Sequence, residues 1–180
     1  MTDYSSINRE TQEKWLRQDA DANDWGLYFK YFSKLDGNEG NWQQLESGLR
    51  PKIKSVLFCD VHKSNPLDPV RMEPVDAICS SACLESASPD NESYKKAMKN
   101  VSSLLAPGGT FILIGVLNCP FYCVGTEKFN CLSVTKDEVK SAVQDSGLTI
   151  VEEFYDETGC DTESTIFNGS IILWAQKKST

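Results

Sequence analysis

The segment "SPDNESYKKAMKNVSSLLAPGGTFILIGVL" (Ser88–Leu117) constrains the fold more than any other part of the chain. Tyr94, Ala97, Met98, Val101, Leu104 and Leu105 recur at i, i+3, i+4, i+7, i+10 and i+11, which lines one face of a helix with apolar side chains. Asp90 stands where an N-cap belongs, and "APGG" ends the helix and turns the chain. The run that follows, Thr110 to Leu117, is apolar on both faces. A capped amphipathic helix feeding such a strand predicts a sheet buried beneath helices on both sides, as in parallel α/β proteins.

The neighbouring sequence repeats the pattern. "IKSVLFCDV" (Ile53–Val61) and "VDAICSSACL" (Val75–Leu84) read as two further buried strands. In "TKDEVKSAVQDSG", Thr135 and Glu138 form a capping box, Val139, Ala142 and Val143 make the buried face, and Gly147 is the C-cap. "LTIVEEFY" and "SIILWAQKK" close the chain as an antiparallel strand pair. Ahead of these, residues 8 to 17 predict a short helix with Asn8 as N-cap and Trp15 and Leu16 as apolar cover. "LYFKYF" predicts a strand from its aromatic content, "LDGNEGN" a loop, and "NWQQLESGLR" a helical turn or two. The fold class is therefore α/β: one domain over residues 1–180, a doubly wound sheet, mostly parallel, with an antiparallel C-terminal pair.

Charge and cysteine usage narrow the function classes. A formal net charge of −8 lacks the clustered Lys and Arg of a nucleic-acid or anionic-membrane surface, and suits an amine-bearing partner. No basic-then-apolar leader precedes Asn8, and "FILIGVL" is too short to span a bilayer, which takes about 20 residues. These features predict a soluble protein of the cytoplasm. The seven cysteines, with a single histidine at His62, lack zinc-ligand spacing, so the expectation is no metal and reduced, apolar-packed thiols.

Doubly wound sheets bind ligands at the carboxyl ends of their strands. The candidates there are Asp3, Asp60, Ser81 with Glu85, and Asn118, although Asp and Asn are also common where strands stop because they favour turns. No phosphate-binding glycine loop is present, and Gly108 and Gly109 leave a helix instead of opening one. His62 follows a strand end and reads as a loop histidine outside the site.

"CDVHKSNPLDP", "SSACLESASPD", "SLLAPGGTFILIGVL" and "YCVGTEKFNCLSVTKDEV", in this order, resemble the nicotinamide, phenylethanolamine and indolethylamine N-methyltransferases, which use S-adenosylmethionine. "NRETQEKWL", "LDGNEGNW" and "CDVHKSNPL" look closest to the indolethylamine branch, and "CLESASPD" to the phenylethanolamine branch. The resemblance implies that "TDYS" closes the family's second strand. The chain then looks like the C-terminal two-thirds of a member, without the first strand and its glycine loop. Such a chain is expected to carry unpaired strand edges and to bind the cofactor weakly. A complete member is expected to be a monomer.

The same resemblance implies roles for matching residues. Asp3 accepts the two ribose hydroxyls of S-adenosylmethionine, and Asn8 makes a further polar contact near the ribose. Asp60 accepts from the adenine amine, the Val61 N–H donates to a ring nitrogen, and Ser81 lines the cofactor. Glu85 is the acid that meets a small amine substrate, and Tyr122 is an aromatic wall of that pocket. Three departures bear on the acceptor. Cys119 replaces a second glutamate of the phenylethanolamine enzymes, Cys131 replaces a serine that holds nicotinamide, and "GCDTESTIFN" lacks the late aromatic residue of the nicotinamide pocket. An indole- or alkylamine is then the better expectation. The alternative is a shortened, non-catalytic product that binds a partner through an exposed sheet edge.

Overall fold

A computed structural model describes residues 1–38 and 40–179. They form two compact units, Met1–Asp60 and the chain from Val61 onward.

The first unit begins with β1 (Thr2–Asp3), followed by α1 (Ser6–Arg17), α2 (Gly26–Leu35), α3 (Trp42–Leu49) and β2 (Leu57–Phe58). β1 and β2 pair in parallel, Thr2 with Leu57 and Asp3 with Phe58. The strand predicted over Ile53–Val61 shrinks to these two residues, because a strand runs only as far as a neighbour satisfies its backbone. The predicted cap of α1 is also corrected. Ser5, in extended conformation, is the N-cap, and its side chain accepts from the Asn8 N–H. Asn8 lies inside the first turn.

"LYFKYF" is helical, not a strand, and forms the body of α2. Asp24 accepts from the Gly26 N–H at 2.7 Å and opens the helix. Tyr28, Phe32 and Leu35 then fall one above another at helical spacing, and Phe29 stacks on Trp15 at 6.0 Å. The β preference of the aromatic residues yields to this packing. Glu39 of the predicted loop lies outside the described residues.

The second unit holds β3 (Val75–Ser81), α4 (Leu84–Ala87), α5 (Asn91–Ser103), β4 (Leu105–Leu117), β5 (Phe121–Val124), β6 (Glu127–Asn130), α6 (Lys136–Asp145), β7 (Leu148–Asp156), β8 (Cys160–Asp161), β9 (Ile166–Phe167) and β10 (Gly169–Lys177). Its main sheet has the order β3-β4-β10-β7. β3 and β4 are parallel, and β10 runs antiparallel to both β4 and β7. Three of the four strands thus share one direction and β10 alone is reversed.

The helix boundaries follow the sequence signals. Asp90 caps α5, accepting from the Ser93 N–H at 2.7 Å. Thr135 and Glu138 form the capping box of α6, and Gly147 follows it at φ +88°. "APGG" bulges out of the β3–β4 ladder, so that Val75 pairs with Leu105 but Ala77 with Thr110. Phe111, Leu113, Ile171, Leu173 and Ala175 face inward with Tyr94, Ala97, Met98, Val139, Ala142 and Val143, all buried. The opposite sheet face departs from the two-sided burial predicted for these strands. Ile112 and Ile114 are 37% exposed, Ile172 46% and Trp174 40%. Both helices of this core lie against the other face, so alternate residues of an apolar strand meet different surroundings.

Candidate functional site

The first unit gathers the donor-side candidates. Asp3 is the last residue of β1, and its carbonyl accepts from the Cys59 N–H at 3.1 Å. Asp60 is the next residue, two past the end of β2, so the two acids stand at or just past the ends of adjacent parallel strands. The Asp3 carboxylate is partly exposed and already bonded: Oδ1 accepts from the Ser5 N–H at 2.8 Å, and Oδ2 from Asn8 Nδ2 at 3.1 Å. A carboxylate has about four lone-pair directions, so acceptor capacity remains for two hydroxyl donors. That acceptor capacity fits the two hydroxyls of the ribose of S-adenosylmethionine.

Arg9 holds this loop, and sequence reasoning missed it. Its Nη1 donates to the Asp3 carbonyl at 3.0 Å and to the Tyr4 carbonyl at 2.6 Å, and its guanidinium lies 5.3 Å from the Phe58 ring centre. Its signal was present: an arginine early in the helix that follows a strand-end acid can reach back to the strand's last carbonyls.

The second unit carries the remaining candidates. Ser81, exposed, ends β3, and Asn118 follows β4 at φ +53°. Val61 is buried, and its carbonyl accepts from Asn100 Nδ2 at 2.9 Å. Glu85 lies in α4 and is only 1% exposed. Its Oε1 accepts from the Val116 N–H of β4 at 3.2 Å, and its backbone carbonyl accepts from the Leu132 N–H at 2.9 Å. Burial raises its proton affinity, opposed by its own and the Val116 backbone N–H groups. Gly115 lies beside it: a Cβ there would be in ordinary contact with Glu85 Oε1, at 3.4 Å.

Tyr122 sits on the β5–β6 hairpin, stacked on Phe129 at 5.4 Å. A bridge to Thr165 holds it. Burial pushes the Tyr122 phenol up, with the Cys131, Cys119 and Cys83 thiols adding to the effect. The Cys131 thiol is itself pushed up to about 12 by burial and lies 3.8 Å from Ser86 Oγ. Both thiols that mark departures from the family pattern, Cys119 and Cys131, thus border Tyr122.

None of the seven cysteines is in a disulfide, but the uniform apolar packing expected for them does not hold. Cys119 is buried, whereas Cys79 and Cys83 are exposed, Cys79 because it points to the open sheet face. Among the described residues, no group of three or more His, Cys, Asp or Glu could hold a metal ion. His62, in the turn after β2, meets the Ala87 carbonyl at 2.8 Å. No described helix is long and apolar enough to cross a membrane.

The sequence matches the NNMT/PNMT/TEMT family over residues 1–178. It is 35% identical over 178 residues to indolethylamine N-methyltransferase of Oryctolagus cuniculus, covering 99% of this chain and 68% of that protein. It is 37% identical over 181 residues to nicotinamide N-methyltransferase of Homo sapiens, with the same 99% and 68% coverage. Phenylethanolamine N-methyltransferase of Macaca mulatta is 35% identical over 186 residues, covering 98% of this chain and 64% of that protein. Among solved structures, a SAM-dependent methyltransferase of Methanosarcina mazei superposes with a TM-score of 0.65 at 15% identity, over 99% of this chain and 81% of that one. An S-adenosylmethionine-dependent methyltransferase of Clostridium acetobutylicum gives 0.50 at 16% identity, over 97% and 100%. These structural likenesses establish the fold.

Proposed function

The chain belongs to the NNMT/PNMT/TEMT family, and from that premise we propose that it serves S-adenosylmethionine-dependent N-methylation of a small indole- or alkylamine. The observation that carries this reading is the pair of acids, Asp3 and Asp60, at the carboxyl ends of the adjacent parallel strands β1 and β2. That is where doubly wound sheets hold nucleotides.

On the donor side, Asp3 accepts the ribose hydroxyls, with Asn8 beside it. Asp60 and the Val61 N–H that follows it in the chain read the adenine edge. When bound, S-adenosylmethionine supplies a sulfonium-activated methyl group. The chain's own contribution is to hold a neutral nitrogen close and aligned, which needs no covalent intermediate. On the acceptor side, Tyr122 offers a flat wall, and Glu85 is the acid with raised proton affinity, suited to taking a proton from an ammonium.

The test begins with the nucleoside half, since weak binding is measurable by NMR. Titrating ¹⁵N-labelled chain with S-adenosylhomocysteine is expected to move the amides of Asp3, Asn8, Cys59 and Val61. Asp3→Ala should weaken the affinity at least tenfold. Methyl transfer from labelled donor to tryptamine, a simple alkylamine and nicotinamide then ranks the acceptors. Shifts confined to other residues would overturn the donor-side assignment.

A second reading rests on β3. It is an edge strand of the main sheet, hydrogen-bonded on one side to β4 alone among the described residues. A non-catalytic product binding a partner strand along Val75–Ser81 would protect those amides from exchange when the partner is added, and would leave the Asp3 amide unmoved by the nucleoside.

A further inference from the structure

The turn between β1 and α1 fixes the direction of the Asp3 carboxylate through one peptide unit. The peptide joining Tyr4 to Ser5 has two polar ends. Its N–H, on Ser5, donates to Asp3 Oδ1 at 2.8 Å. Its C=O, on Tyr4, accepts from Arg9 Nη1 at 2.6 Å. The same nitrogen donates to the Asp3 carbonyl at 3.0 Å, and that carbonyl also accepts from the Cys59 N–H just past β2, at 3.1 Å. Nη1 carries two protons and a carbonyl oxygen two lone pairs, so every bond in this set has its own donor and acceptor. One guanidinium thus holds both peptides that flank Tyr4. Because a peptide is planar, holding its C=O also sets where its N–H points.

Arg9 is itself held in place. It is half-buried in the first turn of α1, and its guanidinium lies 5.3 Å from the ring centre of Phe58, the cross-strand partner of Asp3. The Tyr4 and Phe58 rings are 5.5 Å apart. A planar, delocalised cation can meet a ring and two carbonyls together, where an ammonium offers a single point on a flexible stem. Asn8 completes the arrangement by donating to Asp3 Oδ2 at 3.1 Å. Both carboxylate oxygens are therefore oriented from the start of α1, Oδ2 directly and Oδ1 through the Tyr4–Ser5 peptide.

We propose that Arg9 is a positioning residue for the ribose site: by holding the Asp3 and Tyr4 carbonyls it turns the Ser5 N–H onto Asp3 Oδ1, and so sets the direction of the lone pairs left for the ribose hydroxyls. The inference rests on the reading of Asp3 as the ribose acid. Arg9 acts through the Tyr4–Ser5 peptide and not on the ligand. A donor on the carbonyl end of a peptide also polarises its N–H, so the bond to Asp3 strengthens with the bond from Arg9.

Arg9→Met keeps an unbranched stem and a good helix former in α1 while removing the donors. Two readouts on the full chain test the role. Without ligand, solvent exchange of the Ser5 amide, followed by ¹⁵N NMR, is expected to quicken about tenfold in Arg9→Met, while the amides of residues 13–16 in the body of α1 keep their rates. With ligand, adenosine is compared with 2′,3′-dideoxyadenosine, which lacks both ribose hydroxyls. The parent should prefer adenosine. Arg9→Met should lose about tenfold in affinity for adenosine and little for the dideoxy compound, and adding Asp3→Ala to Arg9→Met should cost little more. An unchanged Ser5 rate would overturn the inference. Equal losses for the two nucleosides would overturn it as well, since they mark a general loosening of the site, and so would additive losses in the double variant, which mark two independent contacts. A parent without a preference for adenosine would overturn the ribose role of Asp3 itself, and is told apart from a failure of Arg9 by the Ser5 rate, which needs no ligand.

Discussion

Glu85 offers the sharpest test of how the acceptor side is built. Its carboxyl is 1% exposed, and burial holds its proton affinity above the ordinary carboxylate value of 4.5. The folded state therefore binds a proton that the unfolded state has released. Stability linked to that proton is fully present below the unfolded pKa and is lost as pH rises through the folded pKa. Every tenfold increase in proton affinity corresponds to about 1.4 kcal/mol lost by the time the group is fully ionised. Tyr94 and Cys131 both feel the Glu85 charge, but burial pushes the Tyr94 phenol up and the Cys131 thiol up to about 12, so both stay protonated across this window. Glu85→Gln keeps an oxygen for the Val116 N–H and removes the ionisation. Its amide introduces a buried NH₂ whose cost, about 1–3 kcal/mol if unpaired, does not vary with pH. Urea unfolding of both proteins, followed by near-ultraviolet circular dichroism from about pH 5 to 9, should show the difference moving in favour of Glu85→Gln as pH rises, then levelling off. A difference that stays flat across the range, or that moves in favour of the parent, would refute the buried-acid account.

Two further perturbations probe the frame around the site. Thr135→Ala removes one half of the α6 capping box and should cost about 1 kcal/mol in thermal or urea unfolding. The Thr135 backbone and hydroxyl also hold Glu138 below its ordinary value, a contribution present above the unfolded pKa and lost as pH falls through the folded one. The variant should therefore lose less stability on acidification than the parent, and an identical acid response would count against the cap. Gly109→Ala would place a methyl 2.8 Å from the Ala106 carbonyl oxygen and 3.2 Å from that of Asp76, so the bulge must shift at a cost of about 1–3 kcal/mol. An unchanged melting temperature would show that the bulge yields freely.

What could be read from the sequence was what local chemistry decides. Asp90, the Thr135–Glu138 pair and Gly147 bound α5 and α6 because caps and left-handed turns depend on a few adjacent residues. The positions of Asp3, Asp60, Ser81 and Asn118 at strand ends were legible for the same reason. What escaped depends on neighbours far along the chain. α2 read as a strand because its aromatic residues prefer strands in isolation, while Trp15 and Phe29, fourteen residues apart by number, stack only once both helices exist. β2 stops at Phe58 because β1 offers two residues to pair with. Ile172 and Trp174 look as deeply buried in sequence as Ile171 and Leu173, yet only the second pair faces the helices.

Asp3 and Glu85 show why a strand-end acid cannot be assigned a role by its position alone. Both were candidates on the same ground, a place at or just past a strand end. Asp3 keeps water access and accepts hydrogen bonds from the Ser5 N–H and the Asn8 amide, with lone pairs still open. Such a group suits ligand hydroxyls, because it has acceptor capacity left on its open side. Glu85 is enclosed between α4 and β4, where desolvation outweighs two backbone N–H groups and favours the neutral form. Such a group suits proton uptake, because acquiring a proton relieves the cost of its own burial. The difference between the two acids thus follows from solvent access, which the packing of α4 on β4 decides for Glu85 and the identity of the carboxylate does not.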